Sequence, residues 1–295
     1  MQDIPDLQPG ARMRRHILVS MLVATPFMFF STRVTAQHMD GPVNFVRYAV
    51  GGHISYGALH GDSIIEIEGD LFGVHRATAV RRALSDVTLL TPTPARKVIA
   101  VGLNYQSHLG QREPAEYPGL FSKYPTSLVA AGEDILMPED ANNLHYEGEM
   151  VLVIGKTCSD VTEEEAMNCV FGVTAGNDIS ERDWQSADLQ WFRAKASDTF
   201  GPVGPTIAYG VNPDDVLVQT RVNGEVRQSE RTSDLIFGTA QIVSYISRYV
   251  TLEPGDLIFT GTPGTTQAMQ PGDVVEIEVE GVGVLQNTVA RKGGR

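Results

Sequence analysis

The chain has 295 residues, a formal net charge of −13 and 42% hydrophobic residues. An acidic chain without a dense lysine and arginine cluster repels phosphate, which excludes a nucleic-acid-binding protein, while the apolar share is enough for a sizeable core. The two cysteines, Cys158 and Cys169, lack zinc-site spacing. They could pair in an oxidising compartment, but their places in a loop and a helix favour free or buried thiols. Carboxylates are therefore the metal ligands that this sequence offers.

Residues 1–36 are predicted to be a signal peptide. Three arginines stand ahead of a mostly apolar stretch over residues 16–30: Arg12, Arg14 and Arg15. Small residues before Gln37 predict cleavage after Ala36, with the mature protein in the periplasm or secreted and not held in a membrane. The paired arginines hint at the twin-arginine route. Alternatively, translation begins at Met39 and the protein is cytoplasmic.

Short strands separated by glycines predict a small N-terminal β domain over residues 42–90. The expected strands are residues 43–50, 54–59 and 64–67. A Thr-Pro-Thr-Pro segment at residues 91–94 cannot continue a helix or a central strand, so the boundary is placed there. A second domain is expected over residues 95–292. It begins with a strand at residues 97–101, and a polar loop at residues 106–119 follows.

The second domain is predicted to contain many strands and few helices. A capping box, Thr162-x-x-Glu165, opens a helix expected to reach Val170, and residues 171–175 read as a strand. A second helix is expected over residues 234–249, and two Pro-Gly-Asp turns each precede a strand. This balance predicts a mainly β fold with a few packed helices, of the α+β class.

Two glutamates around a glycine, Glu147-Gly148-Glu149, precede the apolar run Met-Val-Leu-Val-Ile. Residues i and i+2 of a strand project from the same face, so both carboxylates point one way. Buried carboxylates this close repel each other unless a cation offsets their charge. With Asp178 after the next apolar segment, the pattern indicates a divalent-cation site. The alternative is a solvated strand face, as expected for Glu66-Ile67-Glu68 and for the acids at residues 276–280.

Three further groups accompany these carboxylates. Arg182 and Gln185 come within reach of Asp178 if a helical turn follows it, although a surface ion pair of Arg182 with Glu181 or Asp183 is an equally ordinary arrangement. Lys195 precedes a rigid Gly/Pro loop that could aim its ammonium group at an anionic ligand. Thr262 lies in a Thr-Gly-Thr-Pro-Gly segment that is either an anion-binding nest or a plain turn.

Five motifs in order, spread over residues 96–289, resemble the fumarylacetoacetate hydrolase family. They are Val101-Gly102-Leu103-Asn104-Tyr105-x-x-His108, Tyr146-Glu147-Gly148-Glu149, Gly176-Asn177-Asp178-x-x-x-Arg182-Asp183, Lys195-x-x-Asp198-Thr199-Phe200-x-Pro202-x-Gly204-Pro205 and Thr260-Gly261-Thr262-Pro263. The resemblance implies a mixed β-sandwich roll behind a small N-terminal β domain, usually as a homodimer. It also implies that Glu147, Glu149 and Asp178 bind Mg²⁺ or Mn²⁺, with Ca²⁺ as a further option for an oxygen site.

The resemblance implies chemistry on 2-oxo or 2,4-dioxo carboxylic acids through a metal-chelated enolate. C–C hydrolysis of the acylpyruvate or fumarylacetoacetate type stands first. The alternatives are decarboxylation of an oxaloacetate-type acid, isomerisation of a 2-hydroxy-dienedioate from aromatic-acid breakdown, and an exported 2-oxo-acid-binding protein without turnover. The chain is thus expected to bind a small-molecule 2-oxo acid.

Site roles follow from the same resemblance. Lys195 neutralises charge on the substrate, and four residues are expected to contact it: Lys123, Arg182, Gln185 and Thr262. His108 matches a lid histidine that activates water with a glutamate three residues later. Here that position is Gln111, which cannot accept a proton, so the pair is incomplete unless Glu113 or Glu116 takes that place.

Overall fold

The structure is a computed structural model and describes residues 42–293. The predicted signal peptide lies outside the described residues. Strands far outnumber helices, which confirms the predicted mainly β fold class. Among residues 42–293, none of the helices combines the length and the apolar character needed to cross a membrane.

The elements are named here in chain order. The first nine strands are β1 (Val43–Val50), β2 (His53–His60), β3 (Ser63–Gly69), β4 (His75–Ala83), β5 (Thr88–Leu89), β6 (Val98–Gly102), β7 (Gly119–Lys123), β8 (Leu128–Val129) and β9 (Asp134–Met137). The others are β10 (Leu144–His145), β11 (Gly148–Ile154), β12 (Val170–Asn177), β13 (Ser180–Glu181), β14 (Gly201–Tyr209), β15 (Leu217–Val222), β16 (Glu225–Arg231), β17 (Leu257–Phe259), β18 (Val274–Val279) and β19 (Gly283–Arg291). The α-helices are α1 (Gln106–Leu109), α2 (Glu163–Ala166), α3 (Arg182–Ala187), α4 (Phe192–Ala196) and α5 (Thr239–Ser247). Single 3₁₀ turns lie at Leu84–Asp86, Pro125–Ser127, Met167–Cys169 and Thr232–Asp234.

Two sheets contain most of the strands. The larger has the order β4-β3-β2-β1-β14-β12-β11-β17-β6-β7, with β5 added on β1 and β8 on β14. The smaller has the order β16-β15-β18-β19-β9, and β10 and β13 form a separate pair. Strand β1 pairs antiparallel with β14, so the N-terminal strands continue the sheet that contains β11 and β12. The division into domains at residues 91–94 stays a prediction.

Strand β11 is buried along its whole length, and this positions the site. Met150 and Leu152 pack into the large cluster that includes Ile277 of the smaller sheet. Val151 and Val153 face a second cluster, formed with the N-terminal strands. A strand covered on both faces needs apolar residues at every position, which explains the unbroken apolar run. The two glutamates at the start of β11 therefore lie at the edge of two hydrophobic clusters, one on each face of the strand.

The helix expected over residues 234–249 was predicted too long at its start. Residues 232–234 form a 3₁₀ turn, and α5 begins at Thr239 after Gly238. The backbone N–H of Ile236 donates to the Asn104 carbonyl, and that of Phe237 donates to the Asn104 side chain. Leu235 and Gly238 have extended backbone, with ψ angles of 134° and 166°, so the chain is not helical between the turn and α5. The capping box of α2 is confirmed, although that helix ends at Ala166 and continues only as a 3₁₀ turn.

The prediction of two free thiols is wrong. Cys158 and Cys169 form a disulfide with their Cα atoms 6.1 Å apart. The loop and the helical segment were expected to lie apart. The Gly155 and Lys156 N–H groups both donate to the Cys169 carbonyl, which folds the two segments together.

Reducing this disulfide is expected to destabilise the protein. It closes an 11-residue separation, for which the loss of chain entropy in the unfolded state corresponds to about 3 kcal/mol. Thermal unfolding with and without a reductant measures the effect, and the melting temperature should fall in the reductant. A Cys158→Ser/Cys169→Ser variant is the control, since its melting temperature should not respond. An unchanged wild-type melting temperature would contradict the expectation.

Candidate metal centre and substrate cavity

Pairing between β11 and β12 brings three carboxylates together. Gly148 pairs with Asn177, and the Asp178 N–H donates to the Glu147 carbonyl over 2.9 Å. Glu147 and Glu149 flank Gly148, so alternation along the strand directs both to one side. One carboxylate oxygen from each of Glu147, Glu149 and Asp178 lies within 4.8 Å of the other two, and all three residues are buried. The sequence prediction that these side chains form one cluster is thus matched by their positions.

The electrostatics of this triad fit a divalent cation. Burial, followed by the charges of Asp178 and Glu147, raises the pKa of Glu149 well above its usual range. Burial also acts to raise the pKa of Glu147, but Lys195 and Arg182 outweigh it and hold that pKa well below its usual value. An all-oxygen, buried and mutually repelling donor set is the kind that hard divalent cations bind. The residues present therefore fit the metal implied by the sequence.

Three cations surround the triad. The Lys195 ammonium lies 2.5 Å from a Glu147 oxygen and 2.6 Å from an Asp178 oxygen. Lys123 donates to the other Asp178 oxygen over 2.6 Å and also to the Lys195 carbonyl. Arg182 lies 2.5 Å from Glu147, so the alternative of a surface pair with Glu181 or Asp183 is wrong. Burial lowers the pKa of Lys123, whereas for Lys195 the nearby Asp178 and Glu147 outweigh burial and raise it.

Local folding explains how Arg182 reaches the triad. Helix α3 begins at Arg182, directly after the buried Glu181, whose side chain accepts the Trp184 N–H over 2.7 Å. This N-cap satisfies a helix donor and fixes the first turn. Arg182 then donates to Gln185 over 2.8 Å and to Thr266 over 2.9 Å. The predicted substrate-contact pair, Arg182 and Gln185, thus lies side by side at the site.

The loop after β17 is tied to the carboxylate strand. The Gly261 N–H donates to Glu149 over 2.7 Å, and the Thr262 hydroxyl donates to the Gly148 carbonyl over 2.9 Å. Gln228 joins the two segments, because its amide NH₂ donates to Thr262 over 2.8 Å while its oxygen accepts the Gly148 N–H over 3.1 Å. A buried amide that uses both its donor and its acceptor in this way holds the loop in register with the strand.

The other Glu-x-Glu strands have a different setting. Glu68 is exposed, and the remaining acids of both strands lie at or near the surface beside arginines. Their interpretation as surface acids is therefore confirmed. In exposure to solvent they differ clearly from Glu147 and Glu149, which are buried.

A cavity of about 510 Å³ opens onto the triad. The predicted residues that line it are His108, Arg182, Gln185, Lys195 and Thr262 together with the three carboxylates. Lys123 lies behind Asp178, outside this lining. Glu113 is exposed and does not line the cavity, so the structure does not bring it to His108.

His108 faces the triad from α1. Its Nδ1 lies 2.6 Å from the Gly264 carbonyl oxygen, and its Nε2 lies 3.6 Å from a Glu147 oxygen. A carbonyl only accepts hydrogen bonds, so Nδ1 carries a proton, and Nε2 is the ring nitrogen that faces the triad. This arrangement presents an imidazole nitrogen of His108 to the cavity.

Sequence reasoning missed several residues of this site. Arg112, Phe121 and Trp191 line the cavity, and Gln228 organises its floor. Phe121 and Trp191 pack edge to face with centroids 5.4 Å apart, and the Lys195 ammonium lies 5.0 Å from the Phe121 ring centroid. Arg112 lies in the polar stretch that was expected to be a loop, and its charge beside His108 was the available signal.

Buried carboxylates at the ends of paired strands, ringed by cations and open to a cavity, form a site that fits a divalent cation and a small anionic ligand. The family described as Fumarylacetoacetate (FAA) hydrolase C-terminal matches residues 97–290, and an Rv2993c-like N-terminal family matches residues 44–92. The chain belongs to the fumarylacetoacetate hydrolase family, as its motifs predicted.

Two curated relatives support this assignment. Protein Rv2993c of Mycobacterium tuberculosis is 44% identical over 234 residues, which cover 77% of this chain and 88% of the relative. The mitochondrial oxaloacetate tautomerase FAHD2A of Bos taurus is 33% identical over 308 residues, which cover 93% of this chain and 98% of the relative.

Solved structures show the same fold. A 2-hydroxyhepta-2,4-diene-1,7-dioate isomerase from Mycobacterium marinum has a TM-score of 0.80 at 41% identity, covering 85% of this chain and 99% of its own. A maleylpyruvate hydrolase from Sphingobium sp. SYK-6, in complex with manganese(II) and pyruvate, has a TM-score of 0.71 at 29% identity, covering 84% of this chain and 99% of its own. Family members are thus enzymes that include isomerases, hydrolases and tautomerases, and they bind divalent metals and act on small acids.

Proposed function

We propose that this protein is a divalent-metal-dependent tautomerase of a 2-oxo dicarboxylic acid of the oxaloacetate type. One observation carries the proposal. His108 lines the cavity with its Nδ1 bound to the Gly264 carbonyl and its Nε2 facing the triad, while the carboxylates that could pair with it for water activation, Glu113 and Glu116, are exposed outside the lining. Keto–enol exchange needs a proton carrier but no activated water. The tautomerase and isomerase relatives support the same choice.

The residues divide the work as follows. Glu147, Glu149 and Asp178 would hold the metal, and Mg²⁺ or Mn²⁺ suits three carboxylates better than Ca²⁺, which takes more ligands. When bound, the metal supplies Lewis-acid charge that lowers the cost of an enolate. Arg182 and Lys195 bind the carboxylate end of the substrate. His108 Nε2 takes the proton from C3 of the keto form and donates it to the 2-oxygen, which gives the enol, and the reverse transfers restore the keto form.

An oxaloacetate assay tests this proposal. Protein loaded with Mn²⁺ should accelerate loss of the enol absorbance. A His108→Gln variant should lose about 10²- to 10⁴-fold of that rate. His53→Gln, an exposed histidine on β2, is the matched control and should behave as wild type. An enol decay no faster than in buffer would overturn the proposal, and tight oxalate binding in the same sample would instead favour a binding protein without turnover.

C–C hydrolysis, which the family resemblance placed first, moves to second place. A Gln111→Glu variant is expected to gain acylpyruvate hydrolysis, because it restores the carboxylate three residues after His108. General-base assistance sets the expected gain at about 10²-fold. Release of pyruvate from acetylpyruvate measures it, with Glu113→Gln as the control that should change nothing. If wild-type protein already cleaves acetylpyruvate faster than it tautomerises oxaloacetate, hydrolysis regains first place.

We also propose export and a homodimer. The disulfide supports an oxidising compartment, since such bonds persist outside the cytosol. Mass spectrometry of the secreted N-terminus tests cleavage after Ala36. Exposed apolar side chains, including Leu189 at 95% exposure and Phe192 at 64%, support a partner surface of the family's kind. Light scattering of the purified protein tests the dimer.

A further inference from the structure

One cation of the cavity is placed differently from the others. Arg112 follows α1 by three residues, and its N–H donates to the Leu109 carbonyl over 3.2 Å. The segment that carries His108 therefore also brings Arg112 to the cavity lining. Arg112 is exposed, whereas the carboxylate triad is buried, so the cavity extends from the triad toward solvent at Arg112.

Arg112 also differs from the other cations of the site in its charge pairing. Lys123, Arg182 and Lys195 each contact a carboxylate of the triad. Within residues 42–293, Arg112 makes no ion pair, and the nearby acids Glu113 and Glu116 do not line the cavity. A guanidinium group facing a cavity without a partner is suited to a planar carboxylate, which it can bind through two parallel hydrogen bonds.

An apolar wall completes the cavity. Phe121 and Trp191 line it and pack edge to face. Leu103, also in the lining, has a φ of +58°, a conformation that side-chain-bearing residues rarely adopt. Such strain tends to persist at ligand sites, where the surroundings enforce it. The wall suits a short carbon chain and offers it no charge.

We propose that Arg112 is the specificity-determining residue that binds the distal carboxylate of a short 2-oxo dicarboxylic acid. The 2-oxo acid end lies at the triad with Arg182 and Lys195, and the carbon chain lies along Phe121 and Trp191. This assignment rests on the proposed function, because it takes the 2-oxo acid end as bound at the triad. It adds a discrimination that the triad cannot make, between acids with one carboxylate and acids with two.

Calorimetry on Mn²⁺-loaded protein tests this assignment without turnover. The two ligands are 3,3-difluorooxaloacetate, a dicarboxylate that cannot enolise, and pyruvate, which has one carboxylate. Arg112→Met keeps an unbranched, flexible side chain and removes the charge. It is expected to weaken difluorooxaloacetate binding by about 10- to 100-fold, as for loss of a charge-assisted hydrogen-bonded contact, and to leave pyruvate binding unchanged. Arg112→Lys should restore part of the loss, and Arg81→Met on β4 is the matched control.

The outcomes separate this inference from the proposed function. Equal weakening of both ligands, or no weakening of either, would overturn the role of Arg112. If the selective loss is observed while wild-type protein fails to tautomerise oxaloacetate, the Arg112 assignment stands and the tautomerase proposal falls. In the enol assay, Arg112→Met should lower kcat/KM for oxaloacetate by the same factor and leave that for its 4-methyl ester unchanged.

Discussion

Replacing Glu149 by glutamine is expected to abolish both metal-dependent stabilisation and activity. The glutamine has the same shape and can still accept the Gly261 N–H, but it removes one of three carboxylates from a cluster whose oxygens lie within 4.8 Å of one another. Loss of residues that only orient metal ligands lowers affinity about 10- to 100-fold, so loss of a ligand itself should exceed that range. Thermal unfolding at rising Mn²⁺ concentration measures it, because a bound ion stabilises the folded state.

The metal-free protein gives a second readout. Burial and two neighbouring acids disfavour the charged form of Glu149, so a neutral amide should leave the metal-free melting temperature equal to or above that of wild type. A purely structural role would lower it instead. Glu68→Gln is the matched control, since that glutamate is exposed on β3 and should alter neither measurement. A Glu149→Gln variant that keeps the full metal-dependent rise would remove Glu149 from the ligand set.

Replacing Gly148 by alanine is expected to destabilise the whole fold. A Cβ at this position would lie 2.0 Å from the Thr220 hydroxyl oxygen and 3.0 Å from Ile277 Cδ1. Thr220 is fully buried and donates to Gln228 over 2.7 Å, so it has little freedom to move. Overpacking a rigid core costs about 1–3 kcal/mol or more, and this contact should lie at or above the upper end. Chemical denaturation measures the free energy of unfolding.

Removing the Thr220 hydroxyl should recover part of the stability that Gly148→Ala loses. The Gly148→Ala/Thr220→Ala double variant deletes the hydroxyl, and it should be more stable than the sum of the two single effects predicts. Gly119→Ala is the control, since a Cβ there would meet only the Gly102 carbonyl oxygen at 3.5 Å, an ordinary contact. If Gly148→Ala unfolds at the wild-type denaturant concentration, the glycine is not needed for packing.

Local patterns in the sequence predicted much of the strand framework. Strand β1 was predicted with its observed bounds, since its residues extend between a proline and two glycines. The triad could be predicted because two of its members share a strand face and the third ends the next strand along the chain. These features depend on contacts near in sequence or on a simple repeat, and both can be read without coordinates.

The remaining features depend on contacts between distant segments. Gln228 lies 80 residues from Gly148, and nothing in its own strand marks it as buried. The start of α5 was misplaced because Asn104, more than 130 residues away, uses the backbone of Phe237. The disulfide was missed because its two segments are brought together by backbone hydrogen bonds, which the residue types do not reveal. Glu113 was expected in the site because the family resemblance calls for a glutamate near His108, but the chain turns it to solvent.

The Lys195 ammonium, between Glu147 and Asp178, has a consequence for the metal-free protein. It serves as a built-in counter-ion, so the buried acids are partly neutralised before any ion arrives. The buried carboxylates therefore have a positive partner without a bound ion, so the core does not need a metal to offset their charge. An ion that binds the triad has to compete with this ammonium for the same carboxylate oxygens.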